Sequence, residues 1–202
     1  GHEVTLFATG ESAGRHGMRE TQKKIRAVEA GNLPLLQGLL VYVPIALLGN
    51  ELSALMLFPE AGAAVLHTPY AILTAALVVS APRHWVWYLL AGVVAHFTTN
   101  LPQFGLSWVL VADVANTSRA LVAALLIRAF VGSPPRLGGI RGLLLFIFAA
   151  VLLGPAVGAT IGPVNVLTHD APRGYWPTWG AWFMSNALTG LTLLPALIFA
   201  LD

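Results

Sequence analysis

Residues 109–128 read VLVADVANTSRALVAALLIR, an apolar run interrupted by an acid, an amide and a guanidinium. Asp113, Asn116 and Arg119 recur every third residue, so at about 100° per residue they share one helical face roughly 120° wide, with Ala, Val and Leu filling the rest. A charge at bilayer depth is tolerated where it faces protein or a water-filled cavity, and exposing Arg119 to lipid would cost from about 2.5 to 17 kcal/mol. The sequence on either side is too apolar for a soluble domain. The stretch therefore reads as a membrane span of about Leu106 to Phe130 whose polar face points inward.

Composition agrees with this. Hydrophobic residues make up 56% of the 202 positions and charged residues 10%, with a mean hydropathy of +0.74, which exceeds what a small soluble core can bury. Six apolar stretches after residue 32 approach the roughly 20 residues that cross about 30 Å of hydrocarbon. The sequence predicts an all-α polytopic membrane bundle of six transmembrane helices occupying 33–202. The spans run over about Leu33–Leu57, Ala61–Ser80, Trp85–Leu101, Leu106–Phe130, Ile140–Pro163 and a last one ending near Leu201.

Residues 1–32 are the polar block, with no apolar run long enough for a signal peptide or a span. They read as a cytoplasmic N-terminal segment, partly helical between Met18 and Ala30, where Arg19, Lys23, Lys24 and Arg26 alternate with Glu20 and Glu29. The chain starts at Gly1 and stops just past an apolar run, which suggests a fragment or a processed chain. Nine of the eleven basic residues, Arg15, Arg19, Lys23, Lys24, Arg26, Arg83, Arg128, Arg136 and Arg141, fall on one side of a six-span topology. The positive-inside rule then puts both termini in the cytoplasm. Basic residues at span ends do not form a nucleic-acid surface, so the expected partners are the lipid bilayer and a homo-oligomer or larger membrane complex, and no nucleic acid.

At 1.5 Å per residue from the outer face, Asp113 lies about 10 Å deep, Arg119 about 20 Å, His67 about 9 Å and Asn186 about 15 Å, with His96 near the outer end of its span. With Asn116, these residues are the six candidates for a ligand site or a buried polar network in the outer half of the membrane. Two readings of Asp113 and Arg119 stand open: contacts to a carboxylate, phosphate or amine ligand, or an ion pair locking helices together. Asn186, between Ser185 and Ala187, suits helix-to-helix bonding or ligand contact. His67 and His96 lack the spacing of a metal site, so no metal is assigned, and the cofactor is left unknown, with pigment and haem both open. Without cysteine there is no disulfide or thiolate chemistry. No Ser-His-Asp set, HExxH, P-loop or GxGxxG is present, so no catalytic residue is named and the segment does not read as an enzyme. Gly154, Gly158 and Gly162, four apart, form a stripe for close helix packing. Tyr175, Trp176, Trp179 and Trp182 read as an aromatic girdle at the membrane–water interface.

The order of these features resembles the membrane-associated sensor domains of the first MASE type. The matching segments are FPEAGAAVLHTPYAI, PRHWVWYLLAGVVAHF, VADVANTSRALVAALLIRAF, the stretch Ile140–Phe146 and WFMSNALTGLTLLPAL, together about 58–198. Where that family usually carries tryptophan before proline in the second span, this chain has His67-Thr68-Pro69-Tyr70. The resemblance implies an integral sensory input module of the bacterial inner membrane, placed ahead of a histidine kinase or diguanylate cyclase domain, and no particular ligand. The other readings open at this point are a substrate-binding subunit of an energy-coupling-factor type transporter and a structural accessory subunit of a membrane complex.

Overall fold

The structure is a computed structural model that describes residues 34–58, 62–132, 135, 139–165 and 174–201. The chain divides into two units, Gly1–Leu40 and Val41–Asp202, and the helix bundle from Val41 onward is the second of them. The expected surface helix at Met18 to Ala30 lies outside the described residues, as do Arg136, Asp170 and Arg173.

Among the described residues six helices carry the fold: α1 (Pro34–Leu55), α2 (Thr68–Val79), α3 (Trp85–Asn100), α4 (Leu106–Phe130), α5 (Ile140–Ile161) and α6 (Tyr175–Leu201). Four of them, α1, α4, α5 and α6, are long and apolar enough to cross a membrane. The second apolar stretch differs from its expectation, because only twelve of its residues are helical. Before them the chain forms a small antiparallel hairpin, β1 (Leu57–Phe58) with β2 (Ala63–Ala64), in which Leu57 faces Ala64 and Phe58 faces Ala63. Gly62 closes the turn at φ 63°, a conformation that side chains rarely adopt, and Pro69 starts α2 where a missing N–H costs nothing. Hydropathy alone does not distinguish an extended apolar segment from a helical one, which is why the sequence suggested a longer helix.

Helix α2 is the centre of the bundle. Every side chain from Tyr70 to Val78 is buried, and the helix packs on α4, α6 and, less extensively, α3. A helix that is apolar on all sides belongs in such a place. The two backbone donors at its start are met by neighbours: Thr68 N–H donates to Ser53 Oγ of α1 (3.0 Å) and His67 N–H to Thr189 Oγ1 of α6 (2.8 Å). Contacts among the inner helices are made by small residues: Ala71, Ala75 and Ala76 of α2, Ala112, Ala115, Ala120, Ala123 and Ala124 of α4, and Ala149, Ala150 and Ala159 of α5 are all buried. This is how helices associate when lipid removes the hydrophobic drive between them. Large apolar side chains point out instead, at intervals of four along α3 (Val86, Leu90, Val94) and α5 (Leu144, Phe148, Leu152). They form the surface that meets lipid.

The middle of α5 is a π-helical turn, Phe148–Leu153. Gly154 N–H bonds Ala149 O, five residues back, and the next donor in that register would come from position 155, which is proline. The Ala150 carbonyl is thus left without a helical partner. Tyr70 Oη of α2 donates to it at 2.7 Å, and Gly190 of α6, having no side chain, lets the same carbonyl lie against its backbone.

Candidate functional site

Beside this junction lies a cavity of about 530 Å³ within the second unit. Its wall draws on α1 (Asn50, Ser53), the hairpin (Leu57, Ala63, Ala64), α3 (His96, Asn100), α4 (Trp108, Ala112, Asn116, Arg119) and α6 (Trp182, Ser185, Asn186), with His67 at the foot of α2. Five of the six candidate residues, His67, His96, Asn116, Arg119 and Asn186, meet in this one wall. The hairpin contributes Leu57, Ala63 and Ala64 to that wall, as extended backbone in a membrane domain is stable where it lines a cavity or is buried in protein.

Arg119 is fully buried. One terminal guanidinium nitrogen donates to Asn116 Oδ1, and the group sits 5.4 Å from the centre of the Tyr70 ring. Its Nε and its other terminal nitrogen have no hydrogen-bond partner among the described residues. The glycine stripe explains how the side chain fits. A Cβ on Gly158 would stand 2.7 Å from Arg119 Cδ, one on Gly154 would stand 2.8 Å from Tyr70 Oη, and one on Gly162 would enter the Trp182 ring. The stripe thus makes room for three side chains of α4, α2 and α6. The stripe also lies close against α4, where a Cβ on Gly154 would stand 3.0 Å from Ala123 Cβ and one on Gly158 3.2 Å from Arg119 Cβ, while the tightest approach to backbone is at Gly190.

The sixth candidate, Asp113, sits apart. It lines a hollow of about 20 Å³ that shares Asn50, His96 and Asn116 with the large cavity, so the two are neighbours. Its Oδ1 is 3.4 Å from His96 Nδ1. Of the two readings left open for Asp113 and Arg119, the ion pair is not formed: among the described residues the partner of Asp113 is His96, and Arg119 has no carboxylate within ion-pair distance. Six residues along a helix is about 9 Å of rise, so sharing a face does not bring the two groups into contact.

Asn186 donates from Nδ2 to Trp182 O of its own helix (2.6 Å), while its Oδ1, like His67 Nε2 and Ser185 Oγ, has no partner among the described residues. Buried polar atoms are normally satisfied, and this wall gathers several that have no partner among the described residues. Among the described residues no group of three or more His, Cys, Asp or Glu could hold a metal ion.

The family model of MASE1 matches residues 35–202. The chain belongs to the MASE1 family. It is therefore a membrane-associated sensory domain, and MASE1 domains supply input rather than catalysis. No curated protein and no solved structure matches the chain.

Two residues of this MASE1 domain carry weight that the sequence did not announce. Tyr70 lies under Arg119 and holds Ala150, yet nothing in the sequence around it sets it apart. Trp182, assigned to the interfacial girdle, lines the cavity and donates from Nε1 to Gly62 O of the hairpin (3.1 Å). The rest of the girdle holds together: Trp179 stacks on Phe183 at 5.1 Å, and Tyr175 Oη donates to Thr160 O of α5 at 2.8 Å. A tryptophan two turns inside the helix end can be told from an interfacial one by its spacing from Tyr175.

Proposed function

We propose that this MASE1 domain is a multi-pass sensory input module of the bacterial inner membrane. The cavity under the hairpin receives the signal, and α6 passes it to a cytoplasmic output domain. The observation that carries this reading is the buried, under-bonded guanidinium of Arg119 in the wall of a cavity of about 530 Å³, beside the unsatisfied His67 Nε2 and Asn186 Oδ1. Occupancy of that wall bears on three helices at once, since Arg119 rests on Tyr70 of α2 and against Gly158 of α5 while Asn186 belongs to α6. A ligand that prefers one arrangement of them shifts the population toward it.

The nine basic residues on one side of a six-crossing path favour both termini in the cytoplasm, which opens the cavity toward the periplasm. Assembly as a homo-oligomer, usual for membrane receptors that couple helix shifts to paired output domains, completes the proposal. The test is an output reporter fused after Leu201. Ala63→Phe, which adds an aromatic side chain to the cavity lining on a strand that favours it, should abolish the response to stimulus while leaving protein levels in the membrane unchanged. A response equal to that of the wild type would refute the cavity as the input site. Reporter fusions after Leu201 and after Gly174 should report opposite sides of the membrane, with Leu201 cytoplasmic.

A further inference from the structure

We infer that the ligand of the cavity is a monocarboxylic acid with an apolar body, its carboxylate gripped by Arg119. This deepens the reading of the cavity as the input site and rests on it. The charge census of the wall is the starting point. Among the described residues lining the cavity, Arg119 is the one formal charge, and no Asp, Glu or Lys accompanies it. The acid nearest in sequence, Asp113, lies in the neighbouring hollow against His96.

A guanidinium carries five N–H donors in a planar fork, and here Asn116 takes up one nitrogen while Nε and the other terminal nitrogen remain open. A planar carboxylate matches such a fork. One guanidinium neutralises one negative charge, so a monoanion fits the wall, whereas a phosphate group carrying about −1.5 to −2 at neutral pH would bring excess charge into a site with no second arginine or lysine among the described residues. Arg119 has no exposed surface, so its attraction for an anion is little screened by water, and a carboxylate reaches its two unpartnered nitrogens through a small shift of the side chain or of the wall.

The remainder of the wall describes the body of the ligand. Phe104 and Trp108 stack at 4.2 Å and, with Trp182, Leu57 and Ala112, form apolar and aromatic surface, and the volume of about 530 Å³ lies in the range of small-molecule sites. Such an acid could arrive free from the aqueous side or as a fatty acid from the bilayer. The chemistry recognised by Arg119 is the same in both cases.

The experiment uses the 202-residue chain in lipid nanodiscs and follows tryptophan emission, since Trp108 and Trp182 stand in the wall. The probes are 3-phenylpropionate, its uncharged amide, and palmitate supplied in the bilayer. The carboxylate should saturate the emission change at a concentration lower than the amide by about tenfold or more, the preference expected of charge-assisted bonds. Arg119→Gln should reduce that preference to near unity, and Ala63→Phe should abolish both responses. If Arg119→Gln fails to fold, the Ala63→Phe result together with the acid-to-amide ratio in the unaltered chain decides the matter. Saturation by palmitate but not by 3-phenylpropionate assigns the acid to the bilayer, and the reverse assigns it to the aqueous phase. Equal affinity for acid and amide, or no saturable change with any probe, would overturn the inference. The input reading would survive that result as long as Ala63→Phe still silences the reporter.

Discussion

Helix α4 carries two arginines nine positions apart, and they live in opposite circumstances. At its end, Arg128 donates to Val78 O (2.6 Å) and Ser80 O (2.9 Å) and lies 5.8 Å from the Trp85 ring. These carbonyls terminate α2, where a helix leaves its last acceptors unpaired and its dipole favours a cation, so Arg128 closes a deficit that the fold creates. In mid-helix, Arg119 has an amide, an aromatic face and open donors. An arginine whose donors are taken up by carbonyls is part of the scaffold, while one kept buried with donors to spare is held ready for a partner. Residue type and hydropathy are the same for both. Only the inventory of acceptors separates them.

Substitutions can break this contrast, and the largest effect is expected at the satisfied end. Arg128→Ala removes two charge-assisted bonds and exposes the α2 carbonyls, which should lower stability by about 3 kcal/mol or more, read as a fall in melting temperature in detergent. Tyr70→Phe comes next. It leaves the Ala150 carbonyl without its donor in a dry interior, at about 1–3 kcal/mol, while keeping the ring on which Arg119 rests.

Gly158→Ala is expected to cost about 1–2 kcal/mol, because the added methyl meets the stem of Arg119 and the side chain must shift. It should disturb signalling more than its stability cost suggests. Smallest of all is Arg119→Gln, which takes a buried charge out of the fold and should change stability by no more than about 1 kcal/mol in either direction while abolishing the response. If Arg119→Gln destabilised as strongly as Arg128→Ala, the two arginines would be equivalent and the contrast would fail.

Much of this architecture was legible from the chain. Helix α4 falls at Leu106–Phe130, where the apolar run around Asp113 placed it, and the inward turn of Arg119 followed from the cost of exposing a guanidinium to lipid. The convergence of His67, His96, Asn116, Arg119 and Asn186 was readable as a shared depth, since rise per residue is a reliable ruler along a span. Pairing was not readable. Depth says nothing about azimuth, so an ion pair of Asp113 with Arg119 stood among the open readings and the contact of Asp113 with His96 did not. The hairpin before α2 escaped notice because its residues are as apolar as those of a helix. The π turn left one local sign, Pro155, and its meaning depended on Tyr70, far away along the chain.

That turn also bears on how this span can change in length. A regular α-helix advances about 100° per residue, so residues four apart drift by about 40° at each step, and Phe146, Ala150, Gly154 and Gly158 would fan out across well over a quarter of the circumference. All four are buried. The wide turn between Phe148 and Leu153 absorbs part of the drift, acting as a single surplus residue that keeps the two halves of α5 in phase. A span built this way can lose one residue at that place, such as the lipid-facing Leu152, without rotating Gly158 away from Arg119. Loss or gain of a residue elsewhere in α5 would turn one half against the other. Related chains that are one residue shorter here are expected to have a residue other than proline at the position of Pro155, since a regular helix would set its ring against the carbonyl four residues before it.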